Sequence, residues 1–360
     1  MVRTALLALA LATSTLAPPA FAMRLEAVPG VLERAVDDFI RPGYRDLHEA
    51  AADTERQMSS LCLAPTEDGL QTARGAFDSL VEAWSHIEIV RVGPAIENYR
   101  FERFLYYPDR KSIGLKQVQA LLAKPDESAT DAKSLAGKSV AMQGLGALEF
   151  VLFGTGSETL SRTPHNFRCR YGAAIAGNLE NVSAELTAEW EKPDGVQQAW
   201  KHPGPDNPIY RSAEEAVTGL LGILVHSVEA TKDQRLQAFY SGPDERTRPK
   251  SAIYWRSDNT FPSISGNVRA VQDLWKTARM SDLLDDEFRS VAGSAEFVMT
   301  SVLRVADDVN QPVDELVESK AGRAKLDFLL LNMNDLLDRL NRDYGGAIGL
   351  GAGFSFADGD

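Results

Sequence analysis

Glu149 stands in the run Gly144-Leu145-Gly146-Ala147-Leu148-Glu149-Phe150-Val151-Leu152-Phe153-Gly154, a carboxylate set among large apolar side chains. A buried carboxylate without a partner is costly, so it must find a cation, a hydrogen-bond donor or a metal. Two answers stand open: an ion pair with Arg91 or Arg100 from a neighbouring helix, or a ligand-binding carboxylate in a cleft. Gly144, Gly146 and Ala147 leave room beside it for another backbone or a ligand. His226 and Glu229 are spaced i,i+3 in a helical pattern. That spacing puts imidazole and carboxylate about 5 to 6 Å apart on one face, where they share a metal or simply hydrogen-bond. Glu88 and Arg91 have the same spacing and read either as site-lining residues or as an ordinary surface pair. His86 points to another side of the same helix and reads as packing. Ser257, Asp258 and Asn259 read as a loop and helix N-cap, or as ligand-lining groups.

Several chemistries are excluded. There is no HExxH segment to supply two zinc histidines and a general base, and no GxSxG elbow. With 38 basic against 51 acidic residues the net charge is −13, which argues against nucleic acid and anionic lipid as partners. Arg3, the apolar stretch from Ala5 to Leu16 and the small-x-small triplet Ala20-Phe21-Ala22 read as a signal peptide over residues 1–22, with the mature chain starting at Met23. Nothing later reaches about 18 consecutive apolar residues, so no transmembrane segment is expected in the mature chain. In an oxidising compartment such as the periplasm, the pair Cys62 and Cys169 reads as a disulfide.

The elements that must position these groups are helices. Apolar residues recur at three- and four-residue spacing over 31–62, with Pro42-Gly43 as a bend, and again over 66–98, 131–153, 165–191, 213–239, 262–277, 281–308 and 316–344. A shorter helix is expected over 114–123, and no segment sustains period-two alternation. The stretch 193–208, rich in Pro, Gly, Asp and Asn, reads as a loop. The expected fold is all-α: two helical bundles of about four helices each, over residues 23–200 and 201–345, packed around a cleft. A loosely packed glycine-rich tail is expected over 346–360. Trp84, Trp190, Trp200, Trp255 and Trp275 are expected in the core or between the bundles.

Three stretches resemble the imelysin family over about 35–340. Trp84-Ser85-His86-Ile87-Glu88-Ile89-Val90-Arg91-Val92-Gly93-Pro94 is similar to its Trp/Glu/Arg/Gly-Pro segment. The run from Gly144 to Gly154 is similar to its GxHxxE hallmark, and Ser257-Asp258-Asn259-Thr260, with Asn267 downstream, to its SDNT segment. Glu229 with Arg235 resembles a Glu…Arg pattern of the second bundle. The chain departs from the family at one position: the motif histidine is Gly146, so Glu149 lacks its imidazole partner. His226 is a candidate replacement if its helix faces Glu149. The resemblance implies an exported protein that binds a metal ion or small ligand through Glu149, Glu88, Arg91, Ser257 and Asp258, with Glu149, His226 and Glu229 as the metal set. Iron or another divalent cation is the implied cofactor, and an envelope iron-uptake component the implied partner. A metallopeptidase of the imelysin type and a non-catalytic envelope scaffold are the alternatives.

Overall fold

The computed structural model describes residues 23–353. The expected signal peptide and the last seven residues of the expected tail (354–360) lie outside the described residues. The chain runs through α1 (Val28–Arg34), α2 (Arg41–Leu63), α3 (Glu67–Ile87), α4 (Arg100–Phe104), α5 (Ile113–Ala123), α6 (Ala132–Ala136), α7 (Leu145–Phe153), α8 (Phe167–Glu191) and α9 (Val196–Lys201). After a loop come α10 (Ala213–Ala230), α11 (Thr260–Ala278), α12 (Arg289–Asp307), α13 (Val313–Glu318), α14 (Lys320–Asp338) and α15 (Gly345–Ala347). Among the described residues there is no strand, so the fold is all-α.

Local chemistry sets the boundaries. Thr66 caps α3, its hydroxyl accepting from the Gly69 amide at 2.9 Å. Helix α3 stops at Ile87, short of the 98 expected, and beyond it Gly93, at a positive φ of 54°, with Pro94 following, keeps the helix from resuming along the same axis. The expected helix over 131–153 is likewise broken: Asp131 caps the short α6, and a new helix starts only after Gly144. The bend expected at Pro42-Gly43 is instead a π-helical stretch, Ala35–Ile40, that runs directly into α2 with Pro42 in its first turn. Wider winding there absorbs the N–H that proline lacks. A second π stretch, Thr231–Leu236, extends α10.

Two groups of helices form the molecule. In the first, α2 packs on α3 and α8, and α7 packs on α8 and α3. In the second, α11 packs on α12 and α10, and α14 on α12. The groups meet where α3 lies against α11, so closely that a Cβ added to Gly266 would come within 2.8 Å of the Ser85 Cβ. The apolar core runs continuously through both groups. Residues 23–34 do not follow the expected boundary near 200. Arg34 Nη2 donates to the Ala278 carbonyl at 3.0 Å and to Asp282 at 3.2 Å, and the Arg24 amide donates to Leu283 O. The chain therefore begins against the second group before building the first. The start of the expected loose tail is packed: Ile348 and Ala352 are buried, and the Ala352 amide donates to Asn341 Oδ1 at 3.1 Å. Two apolar side chains within the glycine-rich run suffice to hold it down.

Cys62, at the end of α2, is bonded to Cys169 in the first turn of α8, with Cα atoms 5.5 Å apart, inside the range expected for a disulfide. The bridge spans 107 residues of sequence. Loop closure on that scale restricts the unfolded chain by about 4 to 5 kcal/mol. The double variant Cys62→Ala/Cys169→Ala is expected to lose stability of that order in urea unfolding. A loss below ~1 kcal/mol would show that the unfolded chain is already held compact by other means.

Candidate functional site

Helix α7 is apolar on every side, and Glu149 is the only charged residue in it. Gly144, just before its start, lies against another backbone: an added Cβ would sit 2.6 Å from the Phe104 carbonyl oxygen. Gly146, two residues on, faces open space with nothing within 4 Å of an added Cβ. Glu149 is buried, and its Oε1 accepts three hydrogen bonds. The Arg256 amide donates at 3.0 Å, and Ser257 donates through its amide and its hydroxyl, each at 3.2 Å. The segment that presents these donors is strongly turned, with Tyr254 at φ 52° and Asp258 at φ 59°. The Arg256 guanidinium stands 3.8 Å from the other carboxylate oxygen. Burial pushes the Glu149 carboxyl above its ordinary value, while Arg256 and the three donors pull it back.

The cation beside Glu149 is thus Arg256 rather than Arg91 or Arg100. Because α3 ends at Ile87, the chain from Glu88 onward turns away instead of continuing along the helix. Arg91 pairs with Glu102 at 3.0 Å and lies over the Phe101 ring, and Arg100 pairs with Glu185 at 2.9 Å. The same break removes the i,i+3 pairing of Glu88 with Arg91. Glu88 binds Arg235 instead, both its oxygens lying 2.6 Å from Nη2. Asn267 Nδ2 donates to Glu88 Oε1 at 2.7 Å, and Arg235 Nη1 donates to Ser263 Oγ at 2.9 Å. Arg235 lies in the π stretch that extends α10, and the wider winding aims its side chain back across the interface toward α3.

Glu88, Arg235 and Glu149 belong to one region. A cavity of about 710 Å³ is lined by Glu149, Gly146, Tyr107, Tyr254, Trp255 and Arg256, among others. A small recess of about 40 Å³ holding Glu88, Arg91, Arg235 and Asn267 adjoins it through the shared residues Leu105, Tyr107 and Gln234. His226 and Glu229 line neither space. His226 Nδ1 is 3.4 Å from Glu229 and Nε2 is 3.2 Å from the Ala352 carbonyl, so this imidazole is turned to the C-terminal segment. It does not stand in for the histidine missing at Gly146. Among the described residues no group of three His, Cys, Asp or Glu side chains could hold a metal ion. The residues present therefore do not fit a metal site built from protein ligands alone. Ser257 reaches Glu149 as a ligand-lining group would, but the capping expected of its neighbours is absent. Asn259 precedes α11 with its side chain donating to Asp78 Oδ1 at 2.6 Å, and Asp258 is exposed. His86 packs against Phe39 and meets Asp273 at 3.2 Å. Trp255 is half-buried on the cavity wall, unlike the other four tryptophans, which are in the core.

Sequence reasoning missed Arg256 and Tyr254. The signal was at hand: Tyr254-Trp255-Arg256 runs directly into the Ser257-Asp258-Asn259-Thr260 stretch. The Tyr254 hydroxyl is buried with no hydrogen-bond partner among the described residues, and burial raises its pKa well above the ordinary phenol value.

The fold and this cavity define an all-helical protein with a ligand-sized space where its two groups of helices meet. Residues 40–340 match the sequence profile of the imelysin family, and the chain belongs to that family. An imelysin-like protein from Psychrobacter arcticum 273-4 superposes with a TM-score of 0.79 at 17% identity, covering 92% of this chain and 99% of that one. A putative iron-regulated protein A precursor from Parabacteroides distasonis ATCC 8503 superposes with a TM-score of 0.72 at 14% identity, covering 91% and 98%. No functionally curated protein matches the sequence. Among the described residues no helix is long and apolar enough to cross a membrane.

The two carboxylates should respond differently to amidation. Glu88→Gln strands a buried guanidinium, and a loss of about 3 to 5 kcal/mol is expected in denaturant unfolding. Glu149→Gln keeps an acceptor for the Arg256 and Ser257 donors. The raised Glu149 carboxyl holds its proton more tightly folded than unfolded, so its contribution to stability falls as pH rises from the ordinary value of 4.5 toward the folded value. Glu149→Gln is therefore expected to match the parent well below pH 4.5 and to equal or exceed its stability at neutral pH. A loss of several kcal/mol at neutral pH would instead make Glu149 a structural charge.

Proposed function

We propose that this chain is an exported, non-hydrolytic binding protein that takes a small ligand into the cavity floored by Glu149, in the service of the acquisition or handling of a metal such as iron. The observation that carries the reading is the open cavity at Gly146. Directly beside a buried carboxylate, the helix presents a residue without a side chain, and the space it leaves is large enough for a small organic molecule. Export rests on the signal-like segment at 1–22 and on the Cys62–Cys169 disulfide, which suits the periplasm. The link to iron rests on the printed name of the Parabacteroides distasonis protein, a neighbour in fold at 14% identity. Peptide hydrolysis is disfavoured because Glu149 has no imidazole beside it and spends one oxygen on three donors.

Gly146→Trp provides the test. The added side chain enters open space and leaves the core untouched, so the variant is expected to unfold like the parent while ligand-induced stabilisation is abolished. A ligand that stabilises both proteins equally would place binding outside this cavity. Gly146→His is expected to gain affinity for divalent cations by tenfold or more, since imidazole and carboxylate then stand i,i+3 on one helix. Neither the parent nor Gly146→Trp is expected to cleave an unstructured protein substrate. Cleavage by the parent that a chelator abolishes would reinstate the peptidase reading.

A further inference from the structure

Basic residues gather around the cavity in a way the rest of the molecule does not prepare for. The chain carries 51 acidic against 38 basic residues, yet Arg110, Lys111, Arg248, Lys250 and Arg256 all line this one space. Arg110, Lys111, Arg248 and Lys250 are exposed, and among the described residues none of the four is ion-paired with a carboxylate. Three carboxylates also line the cavity and offset only part of this charge. Asp109 spends its oxygens on the Gly114 and Leu115 amides, each at 3.0 Å. Asp233 is paired with Lys232 at 3.0 Å, and Glu149 is held by Arg256 and Ser257. The five cations outnumber the three carboxylates on this lining, and in a cleft with low-dielectric walls their field is focused inward.

The geometry also fixes where these cations stand. Tyr107 donates to the Ser251 carbonyl at 3.1 Å, tying the wall that carries Arg110 and Lys111 to the wall that carries Arg248 and Lys250. Arg256 lies 4.2 Å above the Trp255 ring and Lys250 5.6 Å from it, so one indole orients two cations. Deeper in, the Tyr254 hydroxyl lies buried, with no hydrogen-bond partner among the described residues.

We infer that the cavity binds a small polyanion with clustered carboxylate or phosphate oxygens, free or as its metal chelate. The rim cations Arg110, Lys111, Arg248 and Lys250 meet the anionic oxygens, with Arg256 behind them on the Trp255 ring. This inference rests on the reading of the cavity as a ligand site and names the chemistry of its ligand. It also accounts for metal handling without a set of protein ligands, because the metal would arrive with its coordination supplied by the anion.

Isothermal titration of the full chain distinguishes the outcomes, with citrate, inorganic pyrophosphate, ferric citrate and ferrous sulfate as separate probes. Citrate or pyrophosphate is expected to bind, and which of the two binds more tightly identifies the carboxylate or phosphate source. Tighter binding of ferric citrate than of citrate would identify the chelate. Arg248→Ala/Lys250→Ala, both on the surface, is expected to weaken that binding tenfold or more without changing thermal unfolding. Raising the salt from about 0.05 M to about 0.5 M should weaken it as well. Anion binding that the double variant leaves unchanged would overturn the inference. Ferrous ion that binds alone and is lost in Gly146→Trp, with neither anion bound, would also overturn it while leaving the cavity a ligand site. Failure of all four probes would count against both readings.

Discussion

The structure depends on one buried ion pair. Glu88 and Arg235 face each other between the two groups of helices, each less than a tenth exposed in its side chain. Taking two charges out of water is expensive, and the pair holds only because both carboxylate oxygens and the guanidinium are further bonded by Asn267 and Ser263. That geometry needs α3 to end where it does, α11 to approach α3 at Gly266, and α10 to widen into a π stretch at Arg235. Shifting any of these by one residue would strand a charge. The pair therefore sets the relation of the two groups more strictly than apolar packing, which tolerates sliding.

The second carboxylate uses the same interface differently. Glu149 is fixed by backbone amides and a hydroxyl from the far side, at Arg256 and Ser257, and only loosely by a cation. Amide donors have no charge of their own to strand. The Glu149 contact can therefore shift without stranding a charge, whereas the Glu88 contact cannot. One interface thus holds a rigid anchor at Glu88 and an adaptable floor at Glu149, joined through the shared wall at Leu105 and Tyr107.

The helical fold was legible because the three- and four-residue apolar spacing recurs in every long segment, and the disulfide because the expected export and an even cysteine pair point one way. The burial of Glu149 was legible from its apolar flanks, and the openness at Gly146 from the lack of a side chain. What misled was continuity. Apolar periodicity runs on past Ile87 to Ala95, but Gly93 and Pro94 redirect the backbone, so Glu88 and Arg91 never share a helix face. Spacing alone also made His226 and Glu229 look like a metal pair. Only the packing of the C-terminal segment against His226 reveals which way that face of α10 looks. Arg256 and the rim cations were hidden because charge was weighed over the whole chain, where acidic residues prevail, rather than along one wall.

The disulfide has a topological consequence. Its loop runs from Cys62 to Cys169, and both Glu88 and Glu149 lie inside it, on α3 and α7 and the segment between them. A protease that nicks the chain once anywhere in that covalent ring, for instance at the exposed residues Arg110 or Lys111 on the cavity rim, separates no fragment. The two pieces stay linked through sulfur, and on a gel without reductant the mass is unchanged. The cavity wall can be cut at its mouth while its carboxylates remain tethered to the frame that holds them.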